Sequence, residues 1–346
     1  MDYQKEVFGN IQSGEAHLYT FENAKGMKMK VSDMGAILVS VVIKDKNGKE
    51  TDVVHGYDRP SDYEGETVFF GATVGRNANR IGGASFELNG VRYELTKNDN
   101  DNNNNLHSGL DFYRDRIWNV EQVTAHSITL SLFSPHMDQG YPGNVTIYVT
   151  YTLTDDNEIQ IEYKAEPDAD TIINMTNHSY FNLDGHDSGS VLEQKVWIDA
   201  DAYTEADAYS IPTGREIPVE GTPMDFRTPK AIGQDIEEDY EALNFGQGYD
   251  HNYVLNGTGY RKVAGMESEQ SGIKMSVYTD LPGMQLYTGN FLDGQKGKDG
   301  ASYPKRSAAC FETQFAPDAI NHDDFQGPVC KKGETYYSKT AYRFEV

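Results

Sequence analysis

Apolar and polar positions alternate with a period of two along most of this chain. Phe86 and Leu88 lead into Asn89-Gly90, and Val91, Tyr93 and Leu95 follow. This spacing predicts a hairpin whose Asn-Gly turn supplies the positive φ angles of a two-residue loop. Val145, Ile147, Val149, Tyr151 and Leu153 run into Asp155-Asp156-Asn157, and Ile159, Ile161 and Tyr163 return, which predicts a second and longer hairpin. Lys46-Asn47-Gly48 and the run Ile128, Leu130, Leu132 continue the pattern. A 3.6-residue apolar stripe of any length is missing, so only the stretch from Ala231 to Tyr240, after Pro229, predicts a helix, and a short one. The 33 glycines are scattered, with no linker and no repeat of 20 to 50 residues, which favours a single all-β domain over 1–346. The Asn/Asp-rich run from Asn98 to Gly109 breaks the alternation and reads as an irregular surface loop.

Charge narrows the function. With 54 acidic and 30 basic residues the formal charge is −24, which repels nucleic acid and anionic lipid and favours a neutral small-molecule ligand. No run approaches the roughly 18 apolar residues of a membrane span, and the opening MDYQKEVFGN lacks the basic and apolar regions of a signal peptide. A cytoplasmic protein is expected, with a secreted or periplasmic form that has lost its leader as the alternative. Cys310 and Cys330 stand far apart, which suits free thiols better than a zinc cage or a disulfide framework. The 23 tyrosines suit sugar ligands, and they suit sheet surfaces equally well.

Candidate chemistry gathers at a few places. TNHSYFNL, Thr176 to Leu183, sets a histidine in an aromatic strand, where Thr176, His178, Tyr180 and Asn182 would share one face. His107 closes the Asn-rich loop. In YDHNYVL, Asp250 and His251 point to opposite faces of an extended segment, and spacing leaves open which of them meets a ligand. Glu312 follows the apolar entry Ala308 to Phe311; it is either a desolvated base with a raised pKa or a carboxylate on the wet face of an edge strand. The glycine-lined segment around Gln285 and Tyr287 would let backbone approach a ligand. Arg76 and Arg80 sit among glycines, but the Lys-Ser/Thr ending of a phosphate loop is absent and nucleotide binding is rejected. His322-Asp323-Asp324 cannot converge on one ion from an extended chain, so no metal is expected.

Six stretches in order, GRNANRI, NNLHSG, TNHSYFNL, YDHNYVL, LPGMQLYTGNFLDG and FETQF, resemble the aldose 1-epimerases, or galactose mutarotases. TNHSYFNL with a downstream ETQ is the specific part. One departure is Ser108-Gly109, where the family often has two glycines after the loop histidine. The resemblance implies a large antiparallel β-sandwich of the galactose mutarotase type and cofactor-free interconversion of the α- and β-anomers of a free hexose such as galactose or glucose. It implies Glu312 as general base, His178 as general acid, and Asn79, Arg80, His107, Asp250 and Gln285 as substrate binders, with Tyr180 nearby. That chemistry takes a proton from the C1 hydroxyl and delivers one to the ring oxygen, so an acid and a base are expected on different sides of one hemiacetal. The alternatives are a glycoside hydrolase using Asp250 and Glu312 and a non-catalytic carbohydrate-binding protein. A monomer or weak dimer is expected.

Overall fold

The computed structural model describes residues 3–99 and 103–346. Residues 100–102, inside the Asn-rich run, lie outside the described residues. Both predicted hairpins form. Ser85–Leu88 pairs with Val91–Glu94, with Asn89 at φ 55° and Gly90 at φ 75°, the left-handed pair that a tight hairpin turn requires. Val145–Leu153 pairs with Glu158–Pro167 in register, and the alternate residues named from the sequence are all buried. Each aliphatic side chain so buried contributes roughly 1.5–3 kcal/mol relative to exposure.

The longer hairpin is built into one of three large sheets whose ladders are all antiparallel, while the Asn89-Gly90 hairpin forms a two-stranded sheet of its own. Nine strands run in the order Asn119–Val123, Ser127–Ser134, Val145–Leu153, Glu158–Pro167, Tyr336–Glu345, Lys274–Thr279, Arg261–Glu267, Lys195–Ile198, Lys230–Ala231. Six run Tyr180–Phe181, Ala309–Gln314, Gly283–Tyr287, Asp250–Leu255, Ala200–Ala206, Pro212–Pro218, and five more form the N-terminal sheet from Tyr3 to Asp52. The six-stranded sheet lies over the nine-stranded one. Tyr342 donates its hydroxyl to the Phe311 carbonyl at 2.9 Å and packs its ring against Phe181. One apolar cluster has members in all three sheets, among them Phe21, Ile147, Ile161, Leu286 and Phe311.

Two expectations are corrected. The helix lies at Glu241–Gly246, after the predicted segment, which instead forms a single 3₁₀ turn at Ile232–Gln234. Ile232 and Gly233 donate their backbone N–H groups to Gln194 and Leu192, so those donors are spent on a neighbouring segment rather than within a helix. The Asn-rich run is irregular, but its described parts are not a surface loop. Asp99, Asn104 and Asn105 are buried, and Asn98 brackets Leu106 by donating to its carbonyl and accepting from its N–H. No described helix is long and apolar enough to cross a membrane.

Arg76 belongs to the scaffold. Fully buried, it donates to the carbonyls of Pro142, Gly143 and Ser134 and to the hydroxyls of Ser134 and Thr171. Arg76→Met is expected to orphan those acceptors and to lower unfolding free energy by about 3 kcal/mol. Urea denaturation checks this, and a midpoint equal to wild type overturns the account.

Candidate active site

Strand pairing brings distant residues onto the outer face of the six-stranded sheet. Phe311, Leu286 and Tyr253 point into the core, so their neighbours point away from it. The register places Asn252, Gln285 and Glu312 in one cross-strand row, and Asp250, Tyr287, Cys310 and Tyr180 in the next. A cavity of about 430 Å³ opens over this face, and Glu312, Asp250, Tyr287 and Tyr180 line it. His178, Asn79, Arg80 and His107 complete the inner walls.

TNHSYFNL forms two short strands, Thr176–His178 and Tyr180–Phe181, broken at Ser179. His178 and Tyr180 reach the cavity; Thr176 and Asn182 do not line it. Asn182 spends its amide on the carbonyls of Gly189 and Ser307. Tyr180 presents its ring rather than its phenol, because its hydroxyl is donated to the Val68 carbonyl at 2.7 Å while the ring stacks beside His178.

His178 Nε2 lies 3.5 Å from Glu312 Oε2, and that oxygen is buried with no hydrogen-bond partner. Cys310 Sγ lies 3.7 Å from His178 Nδ1, which leaves Nε2 for Glu312 and the cavity. Burial pushes the Glu312 carboxyl well up, with Asp250 adding to the rise and Arg80 opposing it. Burial likewise pushes the His178 imidazole down to about 3. Both shifts favour the neutral forms, so burial draws a single shared proton towards the carboxyl.

His107 adopts φ 55° and Ser108 φ 86°. Serine thus takes the left-handed conformation that a glycine would fill, and its hydroxyl holds it there by accepting from Asn77 N–H and donating to the Asn77 carbonyl. Asn79 N–H donates to His107 Nδ1 at 3.2 Å. Neutral His107 therefore carries its proton on Nε2 and offers a donor. This bears on metal binding, since donor atoms of His107, His178 and Glu312 lie within 4.8 Å of one another. A nitrogen bearing a proton has no lone pair for an ion, so this set suits hydroxyl recognition and does not fit a resident cation.

The remaining predicted residues are placed individually. Asp250 lines the cavity, while His251 turns to the helix, with Nε2 against the Ala242 carbonyl and Nδ1 accepting from Asp250 N–H. Gln285 is not in the main cavity wall; it donates to Asp250 Oδ1 at 2.8 Å and accepts from Gln314, bracing Asp250 from behind. Arg80 is held by Asp99 Oδ2 at 2.9 Å, and Asn79 accepts from Arg80 N–H. Sequence reasoning missed Asp99, Phe69, Phe112 and Phe291. Asp99 was masked by the low-complexity composition around it, and the three phenylalanines carried no signal separating them from core residues.

A family model described as aldose 1-epimerase matches residues 17–343. The chain belongs to the aldose 1-epimerase family. Galactose mutarotase of Bos taurus is 38% identical over 99% of this chain and 98% of that protein. Aldose 1-epimerase of Escherichia coli K12 is 36% identical, covering 94% of each. Among solved structures, an aldose epimerase homologue from C. elegans superposes with a TM-score of 0.88 at 32% identity, covering 95% of this chain and 99% of that one. Galactose 1-epimerase from Lactobacillus acidophilus superposes with 0.87 at 26% identity, covering 99% and 98%. The β-sandwich of the galactose mutarotase type that the sequence implied is therefore the fold of this epimerase family member.

Proposed function

We propose that this chain is an aldose 1-epimerase that interconverts the α- and β-anomers of a free hexose such as galactose or glucose, with Glu312 as base and His178 as acid. The observation that carries the reading is the Glu312–His178 contact of 3.5 Å at the inner end of a solvent-reached cavity. The two oxygens on a hemiacetal carbon lie closer together than that, so the C1 hydroxyl and the ring oxygen can each meet one of the two groups. Acid and base then approach one edge of the hemiacetal, rather than clasping the ring from both sides.

Ring opening starts from the carboxylate–imidazolium form of the pair. Glu312 takes the proton of the C1 hydroxyl, the C1–O5 bond breaks, and His178 gives its proton to the ring oxygen. The pair is then neutral on both sides, which is the state that burial favours. Rotation about C1–C2 followed by the reverse transfers yields the other anomer and restores the ion pair. Burial thus favours the pair as it stands around the open-chain aldehyde, whereas forming the carboxylate–imidazolium start costs free energy that Arg80 and the bound sugar must offset. Arg80 opposes the rise of Glu312 and helps its charged form, His107 Nε2–H is a donor to sugar oxygen, and Asp250 accepts from sugar hydroxyls. The net charge of −24 supports a ligand that is neither nucleic acid nor an anionic membrane.

Polarimetry of freshly dissolved α-galactose and α-glucose tests the reading; the protein is expected to speed the approach to anomeric equilibrium, and an unchanged rate overturns it. The pH profile follows from the shifts. Activity needs one proton on the pair, and a second proton adds only at the depressed His178 value of about 3. The acid limb of kcat/KM is therefore expected well below ~6.5, the ordinary imidazole value. An acid limb at the ordinary value removes the account of a desolvated pair.

A further inference from the structure

Two arginines are buried close to this site, and they are treated differently by the fold. Arg76 spends both terminal nitrogens on carbonyls and hydroxyls, and only its Nε is left without a partner. Arg114, on the short turn Tyr113–Asp115, is only 3% exposed, yet its nearest carboxylate contact is Nε to Asp115 Oδ1 at 3.5 Å, and neither of those atoms has a hydrogen-bond partner. Its guanidinium lies instead 4.0 Å from the ring centroid of Phe69 and 5.0 Å from that of Phe112. Burying a charge with so few partners is costly, and the cation–π contacts offset only part of that cost.

The other face of the arrangement is the cavity. Phe69 lines it; Arg114 does not. The Phe69 ring lies 4.7 Å from the His107 imidazole and 6.0 Å from that of His178, nearly parallel to the latter at 24°. Phe69 also holds φ at 61°, a left-handed conformation that a bulky residue adopts only when its surroundings impose it. The guanidinium and the His178 imidazole therefore both pack against the one Phe69 ring.

We propose that Arg114 is a positioning residue for epimerisation: it fixes Phe69 as the cavity wall and sets a permanent positive charge behind His178, which makes the protonated imidazole a stronger donor to the ring oxygen. The inference rests on the Glu312–His178 reading. The charge acts through space, because a cation destabilises a second cation nearby. Desolvation is the larger force holding His178 and His107 neutral, and Arg114 acts on both in the same direction. The other groups facing His178 are Glu312 and Cys310 on one strand, His107 from its loop, Tyr180 on its own segment and Tyr287 opposite. Among these the histidine and the neutral thiol and phenols supply no fixed charge. Asp250 and Arg80 act on Glu312 with opposite signs. Arg114 itself feels Asp115 first, then Glu66 and Tyr57.

The test is the pH profile of kcat/KM for sugar mutarotation, followed by polarimetry and corrected for the spontaneous reaction, in Arg114→Met, Arg114→Lys and Asp115→Asn. A unit charge within about 10 Å of the pair, at an effective dielectric of about 20, moves its titration by about one pH unit. Arg114→Met is expected to shift both limbs upward by about that amount and to lower kcat several-fold. Arg114→Lys is expected to return the limbs towards wild type. Burial raises the Asp115 carboxyl, so its charge fades towards the acid limb; Asp115→Asn removes the counter-charge at higher pH and is expected to shift the basic limb downward. A purely structural role for Arg114 would lower the rate while leaving the limbs in place, and that result overturns the proposal. If Arg114→Met does not fold, Asp115→Asn decides alone: a downward shift of the basic limb supports the field, and an unmoved basic limb overturns it. Loss of activity in Glu312→Gln, measured alongside, keeps the two questions apart, because retained activity there would sink the underlying acid–base reading whatever Arg114 does.

Discussion

Glu312→Gln is expected to abolish catalysed mutarotation, with kcat falling by about 10³–10⁴-fold, the upper part of the range for a lost general base. The amide keeps the volume and the cross-strand position but cannot take up a proton from the C1 hydroxyl. KM is expected to change little, since the sugar's remaining hydroxyls still meet Asn79, Arg80, His107 and Asp250. The fold should survive, and linkage says why. Burial raises the folded pKa of Glu312 above its unfolded value. Such a group costs stability increasingly as pH rises from the ordinary carboxylate range through the folded value, because the unfolded chain releases the proton first. Removing the ionisable group removes that cost, so at pH 8 the variant's thermal midpoint is expected to be no lower than wild type. Polarimetry and a melting curve on the same sample check both halves; an active variant would take the base assignment with it.

His178→Asn is expected to lower kcat by at least ~10²-fold, the low end for loss of a general acid. Asparagine still donates hydrogen bonds near the ring oxygen, but it has no proton to transfer at accessible pH. The acid limb of the profile should disappear with the imidazole. A loss smaller than this would mean that another group protonates the ring oxygen, with His107 Nε2–H the nearest candidate. The two variants should also fail to add. Once either transfer is gone the pair no longer works as a unit, so Glu312→Gln with His178→Asn is expected to be about as slow as the worse single variant. Additive losses would indicate that the two groups act in separate steps on separate sites.

How much of this was legible in the chain can be seen from individual residues. The Asn89-Gly90 hairpin and the alternating strands around Asp155 to Asn157 appear where local chemistry put them, because turn geometry and side-chain alternation are properties of a few adjacent residues. The Ala231–Tyr240 helix failed for the opposite reason: its backbone donors met Gln194 and Leu192, partners some forty residues upstream. The same division runs through the site. Motif resemblance picked out Glu312, His178, His107, Arg80, Asn79 and Asp250 as a group, and all six line one cavity. It could not separate Gln285, which braces Asp250, or recognise that Tyr180 spends its phenol on a backbone carbonyl.

The sequence by itself determined the β architecture, the net charge of −24 and the family. Only the tertiary structure decided that Glu312 lies on a buried rather than a wet face, that Gln285 braces Asp250 from behind the cavity wall, and that Arg76 is scaffold while Arg114 packs against Phe69. Alternation along a strand is a local rule, readable from neighbours. Which face becomes a cavity, and how much water a carboxylate keeps there, depends on strands brought together from distant parts of the chain, and desolvation by those partners sets the proton affinities on which the chemistry runs.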